Sequence, residues 1–259
     1  MNKTFIRTDN FNKVQAAVAA LTNRDPSLPG LGLIYGKWGY GKTEVVEAFY
    51  GQSDTFYVRM METWNARRLL EEMGAIAKVG DPSYRLDRLC DQVIAGFRRW
   101  GKPLFIDEAD YLFNGGSRML NVVRDIHDTT KVPIILIGME AIHGRLQKHG
   151  QFFSRILPAA IVEFQPVSTP EIIMITKEWT GLVIGHEAAD LLGRYIEGDF
   201  RYLVGYLLTL EEACRTNATG TISGRMIDAV VNRAENLTKR MYGIKDPKTV
   251  RILGKTAAS

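Results

Sequence analysis

The sequence predicts an α/β fold in which a core with a parallel sheet is followed by a small all-helical lid domain. Short apolar runs alternate with amphipathic stretches up to residue 164, as is typical of a parallel sheet covered on both faces. Beyond residue 166 only helical periodicity remains. We therefore expect an α/β core over 1–165, a helical lid over 166–242 and a basic C-terminal tail over 243–259.

The apolar runs and the amphipathic stretches predict the elements of the core in order. A breaker, DPSLPG at 25–30, separates the first helix from the first strand. The predicted strands are 31–35, 55–59, 104–106, 134–137 and 161–164. The predicted helices are 10–22, one that opens at 44, 64–78, 83–100, 117–128 and 140–149.

The lid begins at Thr169-Pro170-Glu171, where a capping residue is followed by a proline in the first turn of a helix. Apolar residues at helical spacing then predict four helices. These are 170–181, 187–197, 200–216 and 223–241.

Composition fits a globular protein that has no membrane partner. The chain of 259 residues is 46% hydrophobic and 24% charged, which is ordinary for soluble domains with a buried core. No apolar run approaches the roughly 20 residues needed to span a bilayer. The N-terminus lacks the apolar centre of an export signal, so we expect a cytoplasmic protein. Cys90 and Cys214 are expected to be reduced thiols.

The segment GKWGYGKT at 36–43 fits the phosphate-binding pattern G-x-x-x-x-G-K-[ST] and lies between a predicted strand and a predicted helix. Glycines let backbone N–H groups turn towards phosphate oxygens, and the helix N-terminus adds a partial positive charge. Lys42 is expected to reach the β- and γ-phosphates of ATP, and Thr43 is expected to bind Mg²⁺. The candidate nucleotide ligands in this segment and directly after it are Gly36, Gly39, Gly41, Lys42, Thr43 and Glu44.

Two adjacent carboxylates, Asp107 and Glu108, follow the predicted strand 104–106. The carboxyl ends of parallel strands open onto the ligand crevice. Asp107 is therefore expected to hold Mg²⁺ through water, and Glu108 to orient or deprotonate the water that attacks the γ-phosphate. The alternative is a solvated strand end. The letters DEAD at 107–110 also mark a helicase family, but those helicases need a second α/β domain for which this chain has no room.

Two arginines complete the predicted site. Arg155 follows QFFS at the end of the core, a position that suits an arginine inserted into the nucleotide site of a neighbouring subunit. Arg201 opens a helix of the lid and is expected to contact the γ-phosphate. The alternative for each of them is an ordinary arginine at the surface or at the edge of the core.

Together these motifs resemble those of AAA+ ATPases. Within that class, the run 107–140 and the segment QFFSRI at 151–156 are similar to transposition ATPases of the MuB and TnsC type. The resemblance covers residues 5–240. It implies an enzyme that hydrolyses ATP, assembles on double-stranded DNA as a helical filament or a ring, and disassembles on hydrolysis. The implied partners are a transposase, which the protein recruits to a selected target site and activates, a target-site recruitment protein and further copies of the chain.

The sequence departs from that type in two ways. A polar residue, sensor 1, is expected at the end of the fourth strand, but Ile137 is followed by Gly138 and Met139. This departure makes the speed of hydrolysis uncertain, although not nucleotide binding. No counterpart of the N-terminal DNA-binding domain of the phage Mu protein is found, so DNA binding is expected to rest on the core and the tail. Residues 239–259 carry a net charge of +5, whereas the whole chain carries +4. This basic tail suggests an acidic partner such as DNA or an acidic protein surface, and the alternative is a solvated tail that keeps the protein soluble.

Basic residues that follow the strands are candidates for contacts to the DNA backbone. Arg67 and Arg68 could equally be solvated residues that pair with Glu71 and Glu72 at helical spacing. The DNA-binding candidates are Arg59, Arg67, Arg68, Arg118 and Lys148.

Two other functions stay open at this point. One is an AAA+ loader or remodeller of another DNA-processing protein, such as a helicase. The other is a metabolite kinase built on the same phosphate loop. The positions of Arg155 and Arg201 and the basic tail argue against the kinase.

Overall fold

The computed structural model describes residues 5–52 and 54–242, without the side chains of 51–52 and 234–242. The predicted basic tail at 243–259 lies outside the described residues. The described chain divides into two compact units, one formed by Arg7–Gln165 and the other by the residues from Pro166 onward together with Phe5 and Ile6.

The first unit contains a five-stranded sheet with the order β2-β3-β4-β1-β5, in which every pair of neighbouring strands is parallel. The predicted parallel sheet is therefore confirmed. Its strands are β1 (Leu31–Gly36), β2 (Phe56–Arg59), β3 (Leu104–Asp107), β4 (Ile134–Met139) and β5 (Ile156–Glu163). Its helices are α1 (Asp9–Thr22), α2 (Lys42–Gln52), α3 (Ala66–Ile76), α4 (Leu86–Trp100), α5 (Arg118–Thr130), α6 (Ile142–Gln147) and α7 (Gly150–Phe153).

Both faces of the sheet are buried, which explains the apolar runs in the sequence. Successive side chains of β3 point to opposite faces: Leu104 and Ile106 join one apolar cluster, and Phe105 joins the other. The first cluster includes residues of α3, α4 and α5, and the second includes residues of α1 and α2. Because all five strands are parallel, their carboxyl ends lie at the same end of the sheet.

The first unit departs most from the sequence prediction in three places. Strand β5 begins at Ile156 rather than at 161, because it is an edge strand and an edge position tolerates Pro158. A 3-10 helix, Ala109–Phe113, follows β3 where no element is predicted. The predicted helix 140–149 is replaced by α6 and α7, because the backbone leaves the helical region at His149, where φ is −104° and ψ is 67°.

The second unit consists of four helices and a short pair of strands. A capping box between Ser168 and Glu171, with a proline in the first turn, starts its first helix at Thr169. The capping residue is therefore Ser168 rather than Thr169, the residue that the sequence predicts. The helices are α8 (Thr169–Thr180), α9 (His186–Ile196), α10 (Phe200–Thr216) and α11 (Gly224–Tyr242). The expectation of helices alone was incomplete, since β6 (Val183–Ile184) pairs in parallel with β7 (Thr221–Ile222). Strands of two residues show no periodicity in a sequence.

No helix in the described part of the chain is both long enough and apolar enough to cross a membrane.

Candidate nucleotide-binding site

The phosphate-binding segment connects the carboxyl end of β1 with the first residue of α2. It turns through Gly39 and Gly41, whose φ angles are 79° and 82°. Side chains rarely adopt this left-handed region, so glycine is the residue that fits both positions. Helix α2 begins at Lys42, and its first N–H groups therefore face the loop.

Lys42 folds back over this loop. Its Nζ donates hydrogen bonds to the carbonyl oxygens of Gly36 and Lys37, both at 2.8 Å. Burial lowers the pKa of the Lys42 ammonium, whereas four nearby carboxylates raise it. These carboxylates belong to Asp107, Glu108, Asp110 and Glu44. The cation of Lys42 thus lies within the electrostatic reach of both carboxylates that the sequence assigns to the site.

Asp107 lies at the end of β3 and is only 3% exposed. The Thr43 hydroxyl donates to its Oδ2 at 3.1 Å, and the Tyr57 hydroxyl donates to the same atom at 2.8 Å. Hydroxyl and carboxylate oxygens are ligands that suit Mg²⁺, which also keeps waters and substrate phosphates. Within the described residues there is no group of three or more His, Cys, Asp or Glu side chains that could hold a metal. The oxygens of Thr43 and Asp107 are two ligands of the type that such an ion takes.

Sequence reasoning missed Tyr57, because only the order of the strands brings β2 next to β3. Burial and the adjacent Asp107 raise the pKa of the Tyr57 hydroxyl. The hydroxyl consequently stays protonated at neutral pH and can act as a hydrogen-bond donor. Tyr57 thereby fixes the orientation of the Asp107 carboxylate.

Glu108 has a left-handed backbone, with φ of 53° and ψ of 38°. Such a conformation costs a non-glycine residue about 1–3 kcal/mol, which the surrounding structure has to offset. The Glu108 N–H donates to Asp107 Oδ1 at 2.8 Å, which ties the two acidic residues together. The Glu108 carboxylate, with its side chain 34% exposed, pairs with Arg59 at 3.3 Å. The role of Glu108 in activating water stays a prediction.

Arg155 lies at the amino end of the strands, opposite the phosphate loop. Its carbonyl oxygen accepts a hydrogen bond from the N–H of Leu31, the first residue of β1. The phosphate loop starts five residues further along that strand, roughly 17 Å away at about 3.3 Å per residue. Arg155 therefore cannot reach the phosphate loop of its own chain. Its guanidinium pairs with Asp128 at 3.1 Å and donates to the carbonyl oxygen of Gln151 at 2.9 Å.

Arg201 belongs to the second unit, at the start of α10. Asp199 caps this helix by accepting a hydrogen bond from the Arg201 N–H at 2.9 Å, and it pairs with the Arg201 guanidinium at 3.6 Å. The expected contact between Arg201 and the γ-phosphate stays a prediction.

The DNA-binding candidates fall into two groups. Arg67 pairs with Glu71 at 2.9 Å, and Arg68 pairs with Glu72, as in the solvated alternative. Arg59 pairs with Glu108, as described above. In contrast, Arg118 and Lys148 are exposed, and neither forms an ion pair with a described residue.

Arg118 follows a glycine loop at 114–117, in which Gly115 and Gly116 have φ angles of 72° and 94°. This loop is adjacent to the carboxyl end of α6, since the rings of Phe113 and His149 are 5.5 Å apart. We call the glycine loop, Arg118 and Lys148 the basic loop surface.

Comparison with known proteins identifies a domain within the first unit. Residues 24–146 match a family model described as an AAA domain, and this region contains the phosphate loop, Asp107 and Glu108. No functionally curated protein sequence matches the chain.

Three solved structures show the same fold. The Aeropyrum pernix ORC2 protein, solved as ADPNP-ADP complexes, is 14% identical with a TM-score of 0.64, over 90% of this chain and 69% of that one. The Aeropyrum pernix ORC1 protein in complex with DNA is 15% identical with a TM-score of 0.57, over 93% and 69% of the two chains. The Thermotoga maritima RuvB Holliday junction branch migration motor is 16% identical with a TM-score of 0.52, over 89% and 70%.

The chain therefore has the α/β P-loop fold of AAA+ ATPases, as the motifs predict. Identities this low establish the fold and not the activity. The resemblance to transposition ATPases of the MuB and TnsC type is not tested by these matches and stays a prediction.

Proposed function

We propose that this protein is an AAA+ ATPase that binds and hydrolyses ATP and assembles on double-stranded DNA in its ATP-bound form. The observation that carries the proposal is the arrangement of Lys42, Thr43, Asp107 and Glu108 at the carboxyl ends of the strands of a parallel sheet. Asp107 accepts the Thr43 hydroxyl, and its charge acts on Lys42. A binding module without catalysis would need only the phosphate loop, whereas hydrolysis also needs a group that activates water.

Each residue of the site has its own role in ATP binding or hydrolysis. The loop N–H groups and Lys42 bind the phosphates, and Thr43 with Asp107 would hold Mg²⁺. When bound, Mg²⁺ offsets the negative charge on the transferred phosphoryl group. Glu108 accepts a proton from the attacking water. Arg155 is supplied to the site of a neighbouring subunit, so hydrolysis requires an assembly of at least two copies.

The DNA part of the proposal rests on the basic loop surface. Arg118 and Lys148 offer cations that no described carboxylate neutralises, and cations of this kind bind phosphate backbones without reading sequence. One protein with this fold, ORC1, has been solved in complex with DNA, which supports DNA binding by analogy.

The transposition part of the proposal rests on the resemblance of 107–156 to MuB- and TnsC-type proteins. The protein would select the target site and recruit and activate a transposase, and hydrolysis would release the assembly. Strand transfer by a cognate transposase into DNA coated with the protein tests this step. ATPase stimulation by a partner such as a helicase, without stimulation by bare DNA, would instead favour a loader or remodeller.

Retention of duplex DNA by the wild-type protein should require ATP and should weaken steeply as the salt concentration rises. Filter binding or fluorescence anisotropy with ATP, ADP or no nucleotide measures this requirement. Equal DNA binding in all three conditions would contradict a nucleotide switch.

Lys42→Ala should weaken nucleotide binding by roughly 30-fold or more, because removing one partner of a buried charged contact costs about 2–5 kcal/mol. ATP-dependent retention of DNA should be lost with it. Isothermal titration calorimetry with ATP and Mg²⁺ measures the affinity. Lys37→Ala is the matched control, since Lys37 is an exposed lysine of the same loop. Equal affinities of the two variants would remove Lys42 from the binding site.

The double variant Arg118→Ala, Lys148→Ala should bind duplex DNA more weakly and with a smaller salt dependence. Each lost phosphate contact lowers the slope of log K against log salt by about 0.9. Anisotropy titrations with ATP between low and moderate salt give this slope. Arg67→Ala, Arg68→Ala is the control, because both arginines are already paired with carboxylates. A larger loss of slope in the control would place the DNA surface on α3 instead.

A further inference from the structure

Gly138, near the end of β4, lies close to the side chains of Ile142 and Asp110. A Cβ added there would lie 2.5 Å from Ile142 Cδ1 and 2.6 Å from Asp110 Oδ2. The next residue, Met139, donates its backbone N–H to the same Asp110 oxygen at 2.6 Å. The position at which the sequence lacks the expected polar residue is thus filled by a carboxylate from the segment after β3.

Asp110 also connects two parts of the molecule. Its charge is one of those that act on Lys42 in the nucleotide-binding site. On the other side, its Oδ1 lies 3.7 Å from the guanidinium of Arg145 on α6. The Arg145 guanidinium lies 3.9 Å from the centre of the Phe113 ring, and Phe113 directly precedes the glycine loop. A set of contacts therefore runs from the end of β4 through Asp110 and Arg145 to Phe113, next to the basic loop surface.

The two oxygens of Asp110 are both engaged, one by the Met139 N–H and the other by Arg145. This distinguishes Asp110 from Glu108, whose carboxylate pairs with Arg59 through Oε1. A carboxylate that is held from both sides is suited to fix the positions of other groups rather than to take a proton from water.

We propose that Asp110 is a positioning residue that replaces the missing polar side chain at the end of β4 and that, through Arg145, it makes ATP hydrolysis responsive to DNA at the basic loop surface. This inference rests on the proposed ATPase and DNA-binding function. A DNA phosphate near the loop attracts Arg145 and weakens its pairing with Asp110, which changes the field that Asp110 exerts at the nucleotide.

The test compares Asp110→Asn and Asp110→Ala with the wild-type protein. Affinity for a fluorescent ATP analogue, KM and kcat are measured with and without duplex DNA. Allosteric couplings typically amount to about 5- to 150-fold, and stimulation of that size in the wild type should fall to near unity in both variants. We expect kcat to fall, while nucleotide affinity changes by less than about threefold, a difference worth under 1 kcal/mol. Asp91→Asn, an exposed position on α4, is the control and should behave as the wild type.

A rescue experiment separates positioning from a purely structural role. Met139→Asn in the Asp110→Ala protein should restore kcat in the absence of DNA, because it places a polar side chain at the end of β4. It should not restore stimulation by DNA, since the connection to Arg145 is still missing. Arg145→Gln should likewise reduce the stimulation.

Failure of this inference is distinguishable from failure of the proposed function. A wild-type protein that does not hydrolyse ATP or does not respond to DNA contradicts the proposed function itself. With an active and DNA-responsive wild type, unchanged kcat and unchanged stimulation in both Asp110 variants would overturn the role of Asp110. Loss of nucleotide affinity in both variants would overturn it as well, because Asp110 would then be needed for the integrity of the site.

Discussion

Replacing Arg155 with alanine should lower ATP hydrolysis by about 10³- to 10⁵-fold, the range observed for arginines supplied to a phosphoryl-transfer site from another subunit. Binding of ATP to the monomer should change little, because Arg155 lies at the amino end of the strands, far from the phosphate loop. Single-turnover hydrolysis and calorimetric titration measure the two quantities separately. Arg88→Ala, an exposed arginine of the same unit, is the control.

Mixing variants tests whether Arg155 acts on a second subunit. The Arg155→Ala protein retains its phosphate loop, and the Lys42→Ala protein retains its arginine, so a mixed assembly contains complete sites. The mixture should hydrolyse ATP faster than either variant alone. If it stays as inactive as its components, Arg155 does not act between subunits, and its pairing with Asp128 would mark a structural arginine.

Glu108→Gln should slow hydrolysis by about 10²- to 10⁴-fold, the usual contribution of a general base. Glutamine keeps the size of glutamate, but its neutral amide does not accept a proton from water. ATP binding should persist, and complexes with DNA should dissociate more slowly because the release step is blocked. Phosphate release and the lifetime of the DNA complex measure these effects.

The control for this experiment is Glu140→Gln, an exposed glutamate just after β4. It should hydrolyse ATP at the wild-type rate. A Glu108→Gln protein with normal turnover would remove Glu108 from its assigned role and would leave its pairing with Arg59 as its main contact.

Features that depend on neighbours in the sequence were predictable. The strand, the glycine loop and the start of α2 are contiguous, so their pattern predicts their arrangement directly. Asp107 and Glu108 come at the end of an apolar run, and the rule for parallel sheets places them at the ligand edge. These local features supply the candidate phosphate and metal ligands.

Features that depend on tertiary contacts were not predictable. Tyr57 reaches Asp107 only because β2 lies beside β3, and strand order is not written in a local pattern. Asp110 was interpreted only as part of a helicase tetrapeptide, whereas the folded chain places it against Gly138 and Met139. The two alternatives for Arg67 had equal local support, and only the folded helix α3 shows the pairing with Glu71.

The parallel sheet has a consequence for the symmetry of any assembly. The phosphate loop lies at the carboxyl end of the strands and Arg155 at the amino end, so the proposed role of Arg155 brings unlike surfaces of two copies together. Head-to-tail contacts between such unlike surfaces form rings or open helices. In an open helix the two ends would be chemically different, one with an arginine that serves no nucleotide and one with a nucleotide that lacks its arginine. Growth and loss of subunits would then have an intrinsic direction along the DNA.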